Sequence, residues 1–252
     1  FEEMESQSTM PTSTEKLVPT AIGEGGGINR VAVRVRPQNE KEMSAGGTTA
    51  TRVDTVRNEI EIPGASPPFA FDAVFDSDST QQQVYDCCAA DAVEGCLKGC
   101  NGTIISCGQT GAGKTWTMQG SEEQLGLAAR AALQIFAALA KTVQEGEGEA
   151  RPRELAMVRC SLLEVNRDCV FDLLAPKSGN RLSDSKGSLK VVKANLDQEE
   201  GSFCVKGLTD VVVTTAEEVH GLLRLGLENR SVGETLLLAS SKNAAGSSSS
   251  SS

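Results

Sequence analysis

Apolar residues recur along the chain with a helical period in three places. From Thr80 to about Leu97 they fall every four positions, which predicts an amphipathic helix that Ser79 or Thr80 caps. The same spacing predicts a second helix from about Leu127 to Val143. A third helix is expected after Thr215, because Thr215 and Glu218 have the spacing of a capping box.

Short apolar or alternating segments between these helices predict strands. The candidates are Val31–Val35, a small hairpin over 53–62, Phe69–Phe75, Thr103–Cys107, Leu155–Val165, Cys169–Leu174, Leu189–Val192 and Phe203–Val205. Strands that alternate with helices favour an α/β fold in three layers. The polar segment 1–27 ends in a glycine-rich run and is expected to be a disordered leader. Residues 28–246 are expected to form the folded domain, and 247–252 a polyserine tail.

Composition narrows the class of protein. The chain has 252 residues and a formal net charge of −10, which argues against a nucleic-acid binder. No stretch of 18 apolar residues occurs, so we expect no membrane span. The eight cysteines form no C-x-x-C pair, and they are interpreted as buried, reduced thiols rather than as zinc ligands. His220 is interpreted as a solvated helix residue.

The segment Gly108–Thr115 carries the clearest chemistry. Its sequence, Gly-Gln-Thr-Gly-Ala-Gly-Lys-Thr, has the spacing of a phosphate-binding loop, between a predicted strand and a possible helix. In such a loop the backbone N–H groups surround phosphate, Lys114 reaches the β- and γ-phosphates, and the Thr115 hydroxyl binds Mg²⁺. The alternative is a glycine-rich turn followed by a chance Lys-Thr pair.

The chain resembles the kinesin motor domain from about Asn29 to Ser241. The resemblance rests on several separate stretches: Val33-Arg-Val-Arg-Pro37, Phe69–Phe75, Gly99–Thr103 with the loop and Thr117-Met118, Ser161–Val165 with Val170–Leu174, Val205–Leu208 and Asn229–Val232. It implies a P-loop NTPase motor fold with a central mixed β-sheet flanked by helices, incomplete at its C-terminal side.

The resemblance also implies a site for ATP and Mg²⁺. Arg34, Pro37 and Trp116 would contact the adenine, although Arg34 could instead be an exposed strand cation and Trp116 a core residue. The phosphates would be held by the loop residues Gly108, Gln109, Thr110, Gly111, Ala112, Gly113, Lys114 and Thr115. Ser240 and Ser241 would approach the γ-phosphate, so that Lys114, Thr115, Ser240 and Ser241 are the expected catalytic residues, with Thr115 and Ser241 on the metal.

The chain departs from the family pattern at the γ-phosphate sensors. The family's Asn-x-x-Ser-Ser-Arg-Ser-His is matched by Leu237-Leu-Ala-Ser-Ser-Lys-Asn-Ala244, and Lys242 lacks the planar fork of arginine. The sequence contains no Asp-x-x-Gly-x-Glu motif. Asp172 resembles a structural position of the family rather than a Mg²⁺ ligand.

As a member of this family the protein would couple ATP hydrolysis to movement along microtubules, in the cytoplasm and on the cytoskeleton. Part of the microtubule surface could lie in Leu174–Gly207, which contains Lys186, Lys190, Lys193 and Lys206, unless this is only a solvated basic loop. The alternative function is a degenerate module that binds nucleotide or tubulin without efficient turnover. A small-molecule kinase with the same loop would not explain Arg34–Pro37. No heptad stalk is visible, so oligomerisation is not encoded in this region.

Overall fold

The structure is a computed structural model that describes residues 29–145, 157–166, 168–175, 188–193 and 203–245. The chain divides after Asp91 into two compact units. The predicted leader over 1–27 and the polyserine tail over 247–252 lie outside the described residues. The boundaries of the folded domain therefore stay a prediction.

The described residues contain helices and short strands in mixed order. In chain order they are β1 (Ala32–Arg34), α1 (Glu40–Ser44), β2 (Arg52–Asp54), β3 (Glu59–Glu61), β4 (Phe69–Ala70), β5 (Ala73–Phe75), α2 (Gln81–Cys88), α3 (Ala90–Leu97), α4 (Lys114–Met118), α5 (Leu127–Glu145), β6 (Val158–Cys160), β7 (Leu163–Asn166), β8 (Cys169–Asp172), β9 (Lys190–Lys193), β10 (Phe203–Lys206), β11 (Val211–Val213) and α6 (Ala216–Ala245).

The N-terminal unit is built from two small sheets. Strand β1 pairs in parallel with β5, which places Val33 opposite Val74. Strands β2, β3 and β4 form an antiparallel sheet, and the first two are the hairpin predicted over 53–62. The single strand predicted over Phe69–Phe75 is wrong, because β4 and β5 belong to different sheets. The Phe71 N–H still bonds the Asn58 carbonyl, whereas the Asp72 N–H bonds the Val31 carbonyl, both at 3.0 Å. Between β4 and β5 the Asp72 carboxylate accepts a hydrogen bond from the Val31 N–H at 2.7 Å.

Helix α1 was not predicted, although its start has a readable signal. The Asn39 side chain accepts a hydrogen bond from the Glu42 N–H, and the Glu42 carboxylate accepts one from the Asn39 N–H, both at 2.9 Å. This reciprocal pair is a capping box. The Arg36 guanidinium also donates to both carboxylate oxygens of Glu42. The hydrogen bond from the Arg36 side chain and, to a smaller extent, the one from the Asn39 N–H lower the pKa of Glu42 to about 2. Desolvation of the carboxylate opposes this change.

The helix predicted from Thr80 to Leu97 is interrupted at Ala89. Its start is confirmed, since Thr80 and Gln83 form a capping box. Ala89 has φ −125° and ψ −34° and separates α2 from α3, while its N–H still bonds the Tyr85 carbonyl at 2.9 Å. The Arg30 guanidinium donates to the carbonyl of Cys87 beside this break. The four-residue apolar period could not show the interruption, because it continues across Ala89.

In the C-terminal unit, α5 confirms the second predicted helix and buries Leu127, Ala129 and Ala132. A tight turn connects α4 to α5. The Gly126 N–H donates to the Gln119 carbonyl at 2.9 Å, and Gly120 forms an isolated antiparallel bridge with Leu125. A Cβ atom on Gly126 would lie 2.5 Å from the Gln119 carbonyl carbon, and one on Gly120 would overlap the Gln124 oxygen. The turn therefore depends on glycine at both positions.

The remaining strands of this unit pair as three separate antiparallel ribbons: β6 with β11, β7 with β8, and β9 with β10. The long strand predicted over Leu155–Val165 is wrong in its described part, because β6 and β7 belong to different ribbons. The short strands predicted near 169–174, 189–192 and 203–205 are confirmed as β8, β9 and β10. Strand β11 was not predicted.

Helix α6 confirms the third predicted helix. One hydrogen bond at its start differs from the capping box that was predicted for Thr215 and Glu218. The Thr215 hydroxyl accepts from the Glu218 N–H at 3.2 Å, as expected, but the Glu218 carboxylate accepts from the Thr214 N–H. Farther along, buried Gly226 faces the β7–β8 ribbon, where a methyl group on it would lie 3.5 Å from Leu162. The Asn229 amide donates to the Leu173 carbonyl at 2.6 Å, which holds the helix against this ribbon.

The described strands form five separate sheets rather than the central mixed sheet that was expected. The mixture of helices and sheets agrees with an α/β class, whereas the three-layer arrangement stays a prediction. The expectation of buried cysteines is wrong: Cys96, Cys100, Cys107 and Cys204 are exposed, and the other four are partly exposed. Within the described ranges, no helix has the length and apolarity needed to cross a membrane. No group of three or more His, Cys, Asp or Glu residues there could hold a metal ion.

Candidate nucleotide-binding site

The loop before α4 has a backbone that favours glycine. Gly111 has φ +83° and Gly113 has φ +97°, a region that residues with a Cβ atom rarely adopt. Between these glycines the Ala112 N–H donates to the Gln109 carbonyl at 3.1 Å and closes a turn. Gly113 is the N-cap of α4 and makes no side-chain capping bond. Helix α4 thus begins without the side-chain acceptor that caps most helices.

The Lys114 side chain folds back over this loop. Its ammonium donates to the carbonyls of Gly108 at 2.7 Å and Gln109 at 2.9 Å. An ammonium has three donors, so two are committed to the loop. The positive charge is therefore fixed beside the loop backbone, where a phosphate oxygen would meet both the charge and the third donor.

The next two side chains, Thr115 and Trp116, are exposed on α4. Thr115 presents a hydroxyl, which is an oxygen ligand of the kind that Mg²⁺ accepts. Trp116 is 41% exposed, so it is not the core residue that the alternative described. An exposed indole offers a flat apolar face on which an aromatic base can stack.

The strand predicted at Thr103–Cys107 is not formed. Residues 101–108 have no regular secondary structure, and Ile105 is 76% exposed. A strand needs a partner for its backbone N–H and C=O groups, and no ladder partner pairs with this segment among the described residues. Helix α4 has only five residues. The loop therefore lacks the preceding strand, and a short helix supplies little macrodipole.

Arg34 lies on β1 in the N-terminal unit, and it is not a simple exposed cation. Its guanidinium donates to the Gln81 side-chain oxygen at 2.8 Å and to the Ser79 carbonyl at 3.1 Å. Gln81 is only 2% exposed, and partial burial lowers the pKa of Arg34. Pro37 is exposed after the strand. No local pattern in the sequence indicates that Gln81 would accept this hydrogen bond from Arg34.

The two catalytic serines that the resemblance implied, Ser240 and Ser241, lie near the C-terminal end of α6. Their backbone is helical, and their side chains lie outside the described residues. Of the predicted site residues, Gly108–Trp116 form one continuous segment of the C-terminal unit. Arg34 and Pro37 belong to the other unit.

Asp172 has the structural role that was expected. One of its carboxylate oxygens accepts from the N–H groups of Leu174 at 2.8 Å and Ala175 at 3.0 Å, and the other accepts from the Thr209 N–H at 2.8 Å. Burial alone would raise the pKa of Asp172, but these bonds and one with the Thr209 side chain lower it on balance. The carboxylate organises the turn after β8.

Comparisons with known proteins agree with the resemblance. The kinesin motor domain family model matches residues 34–245. The chain is 34% identical over 212 residues to the human kinesin-like protein KIF21A, covering 82% of this chain and 12% of that protein. It is 33% identical to kinesin-related protein 5 of Dictyostelium discoideum, over 82% of this chain and 20% of that protein.

A third relative gives the same result. The chain is 33% identical over 219 residues to the kinesin heavy chain of Syncephalastrum racemosum, covering 84% of this chain and 21% of that protein. The chain thus spans about a fifth or less of the length of these three relatives. The family model covers most of the chain, and the loop Gly108–Thr115 lies inside the matched range. The chain therefore belongs to the kinesin motor domain family.

Proposed function

We propose that this chain binds MgATP and forms part of a motor that couples ATP hydrolysis to movement along microtubules. The observation that carries the proposal is the position of the Lys114 ammonium, which donates hydrogen bonds to two carbonyls of the loop. The positive-φ positions of this loop are occupied by glycine. The motif alone predicts phosphate binding, and this geometry supports it. Membership in the kinesin family supports ATP as the nucleotide.

The residues present fit the magnesium nucleotide in the chemistry of their donors. The loop offers backbone N–H groups and one ammonium for the phosphates, and Thr115 offers an exposed hydroxyl for Mg²⁺. Trp116 would stack on the base. When bound, Mg²⁺ neutralises charge that develops on the phosphate oxygens. Lys114 would bind and orient the same phosphates, and Ser240 and Ser241 would complete the γ-phosphate contacts, with Ser241 on the metal.

The proposed partner is the microtubule, and the β9–β10 ribbon is its candidate contact. Lys190 lies directly opposite Lys206 in the ladder, an unfavourable pairing of like charges. Phe203 is 70% exposed and Val191 is 56% exposed beside these lysines. An acidic partner with some apolar surface would relieve the repulsion and cover these side chains, and an acidic face of tubulin would suit both. The corresponding location is the cytoplasmic cytoskeleton.

A second candidate is a degenerate module that binds nucleotide or tubulin without efficient turnover. It is favoured by the departures at Leu237, Lys242, Asn243 and Ala244, and by a backbone that stays helical through Ser240 and Ser241. Family switch regions bind the γ-phosphate with a fixed set of polar residues, and several of those are replaced here. Turnover therefore separates the two candidates.

The nucleotide test compares the wild-type chain with Lys114→Ala by calorimetry with MgATP and MgADP. Removal of a charged hydrogen-bond donor costs about 1.5–3 kcal/mol, so we expect roughly 10- to 100-fold weaker binding. Lys98→Ala is the matched control, because Lys98 is an exposed cation that pairs with Glu94 on the same unit. Absence of magnesium-dependent affinity in the folded wild-type chain would contradict the proposal.

The microtubule test measures co-sedimentation and ATPase rate with and without microtubules. Lys190→Glu combined with Lys206→Glu is expected to weaken co-sedimentation at low salt and to leave calorimetric MgATP binding unchanged. Lys98→Glu makes the same charge reversal at a single lysine away from the ribbon, and it is compared with Lys190→Glu alone. Stimulated turnover would support the motor, and binding without turnover would support the degenerate module. Equal sedimentation of the ribbon variant and the wild type would exclude the ribbon as the contact.

A further inference from the structure

Two cysteines occupy consecutive positions directly before the break between α2 and α3. Cys87 and Cys88 are the last two residues of α2, and Ala89 follows as the cap that separates the helices. Both cysteines are partly exposed. Reagents in solution can therefore reach a pair of sulfur atoms that the helix end holds on neighbouring residues.

Arg30 fixes a positive charge at this pair. Its guanidinium donates to the Cys87 carbonyl, which lies beside the helix break. It also lies 3.5 Å from the Asp91 carboxylate, and the Arg30 side chain is only 19% exposed. The cation is held in place by both contacts rather than moving freely in solvent.

The two thiols share their protons unequally. Cys88 donates a hydrogen bond to the Cys87 sulfur, and this bond, helped by the charge of Arg30, lowers the pKa of Cys87 to about 7, while desolvation and the carboxylates of Asp91 and Asp72 oppose the change. The same hydrogen bond, together with burial, raises the pKa of Cys88. Near neutral pH a substantial fraction of Cys87 is therefore a nucleophilic thiolate, while Cys88 stays a thiol.

A direct disulfide is a poor product for this pair. Adjacent Cα atoms are about 3.8 Å apart across a trans peptide, whereas disulfides usually join Cα atoms that are about 4.4–6.8 Å apart. A larger atom bound by both sulfurs closes a wider ring and avoids this constraint. Soft, thiophilic centres are the natural partners of such a sulfur pair.

We propose that Cys87 and Cys88 form a bidentate dithiol site for trivalent arsenic, as presented by an organic arsenoxide. Two As–S bonds form and the arsenic–oxygen bonds of the arsenoxide break. Two protons are needed: one comes from the Cys88 thiol, and one comes from solvent in place of the proton that Cys87 released. The arsenic-bound oxygen leaves as water with both protons. Arsenic stays trivalent and neither sulfur is oxidised, so the reaction needs no oxidant. The Cys87 thiolate attacks first, and Cys88 closes the ring. The site is independent of nucleotide binding.

The test adds phenylarsine oxide to the 252-residue chain and follows the adduct by intact-mass spectrometry. One adduct is expected that survives excess 2-mercaptoethanol and is removed by 2,3-dimercaptopropanol, because only a dithiol competes with a bidentate site. Cys87→Ser and Cys88→Ser should each raise the apparent dissociation constant at least tenfold. Cys96→Ser and Cys100→Ser are the matched controls, since these cysteines are exposed near the end of α3.

Peptide mapping of the wild-type adduct gives a readout that does not depend on the folding of any variant. Arsenic on the peptide that contains residues 87 and 88 supports the site. Arsenic on another peptide overturns it. An adduct that keeps its affinity in Cys87→Ser and Cys88→Ser, or loses it in Cys96→Ser, also overturns it.

Discussion

Helices α1 and α4 have the same length of five residues, and they begin in opposite ways. The start of α1 is closed by its own side chains, because Asn39 and Glu42 satisfy each other's backbone N–H groups and Arg36 binds the carboxylate. The start of α4 is a left-handed glycine without a side-chain cap. A helix of five residues gains little from its length, so its first turn needs partners. In α1 they come from the chain, and for α4 we propose that they come from phosphate.

The largest effects are expected when a glycine with positive φ near each of these two helices is replaced by alanine. Gly111 has φ +83° in the loop and Gly46 has φ +73° after α1, and neither has an atom within 4 Å of a new Cβ. Each substitution should destabilise folding by about 1–2 kcal/mol, because the backbone strain is similar. Only Gly111→Ala should also weaken MgATP binding, at least tenfold by calorimetry. Equal affinity of the two variants would show that the loop conformation does not serve nucleotide.

Removal of the cap of α1 should have a smaller effect, confined to stability. Asn39→Ala is expected to lower the free energy of unfolding by about 1 kcal/mol, because the Glu42 N–H loses its acceptor. Urea denaturation measures this change, and MgATP affinity should not change. Lys41→Ala, at an exposed position of the same helix, is the control. If both variants denature at the same urea concentration, the capping box contributes nothing.

A glycine inside a helix, without positive φ, should respond to alanine in the opposite way to Gly111 and Gly46. Gly226→Ala should stabilise the chain by about 1 kcal/mol, since alanine is the better helix former and its methyl would contact Leu162 and Leu173. Gly221→Ala is the matched control, because it gains the same propensity in α6 with no atom within 4 Å. Thermal melting of both variants should place Gly226→Ala at or above Gly221→Ala. A lower melting temperature for Gly226→Ala would mean that the β7–β8 ribbon cannot accept the methyl.

The smallest expected effect is a shift in the titration of Glu42. Its folded pKa of about 2 lies below its ordinary value of 4.5, so its contribution to stability is present above pH 4.5 and is lost as the pH falls through about 2. NMR titration should show this midpoint. Arg36→Gln should raise it, because the main hydrogen bond that lowers the pKa is removed. Arg57→Gln, a change of an exposed cation in the same unit, should leave it where it is.

Local sequence signals predicted the features that neighbouring residues determine. The loop spacing Gly108–Thr115 and the caps at Thr80 and Thr215 were readable because each depends on residues a few positions apart. The capping box of Asn39 and Glu42 depends on the same three-residue spacing. Helix α5 followed from its apolar period.

Features that depend on distant partners could not be read in this way. Thr103–Cys107 has the composition of a strand, but a strand forms only where another segment pairs with it. The break at Ala89 involves Arg30, which lies 57 positions before the carbonyl that it binds. Likewise, nothing in the pattern indicated that Gln81 would hold Arg34.

The turn between α4 and α5 restricts how this region can change over generations. Because no side chain fits at residues 120 and 126, natural variation at both positions should be almost absent, whatever the rest of the region does. An insertion between them would separate the bridge of Gly120 and Leu125 from the bond that Gly126 makes to Gln119. We therefore expect length changes among descendants of this sequence to fall outside the short span from Gln119 to Gly126.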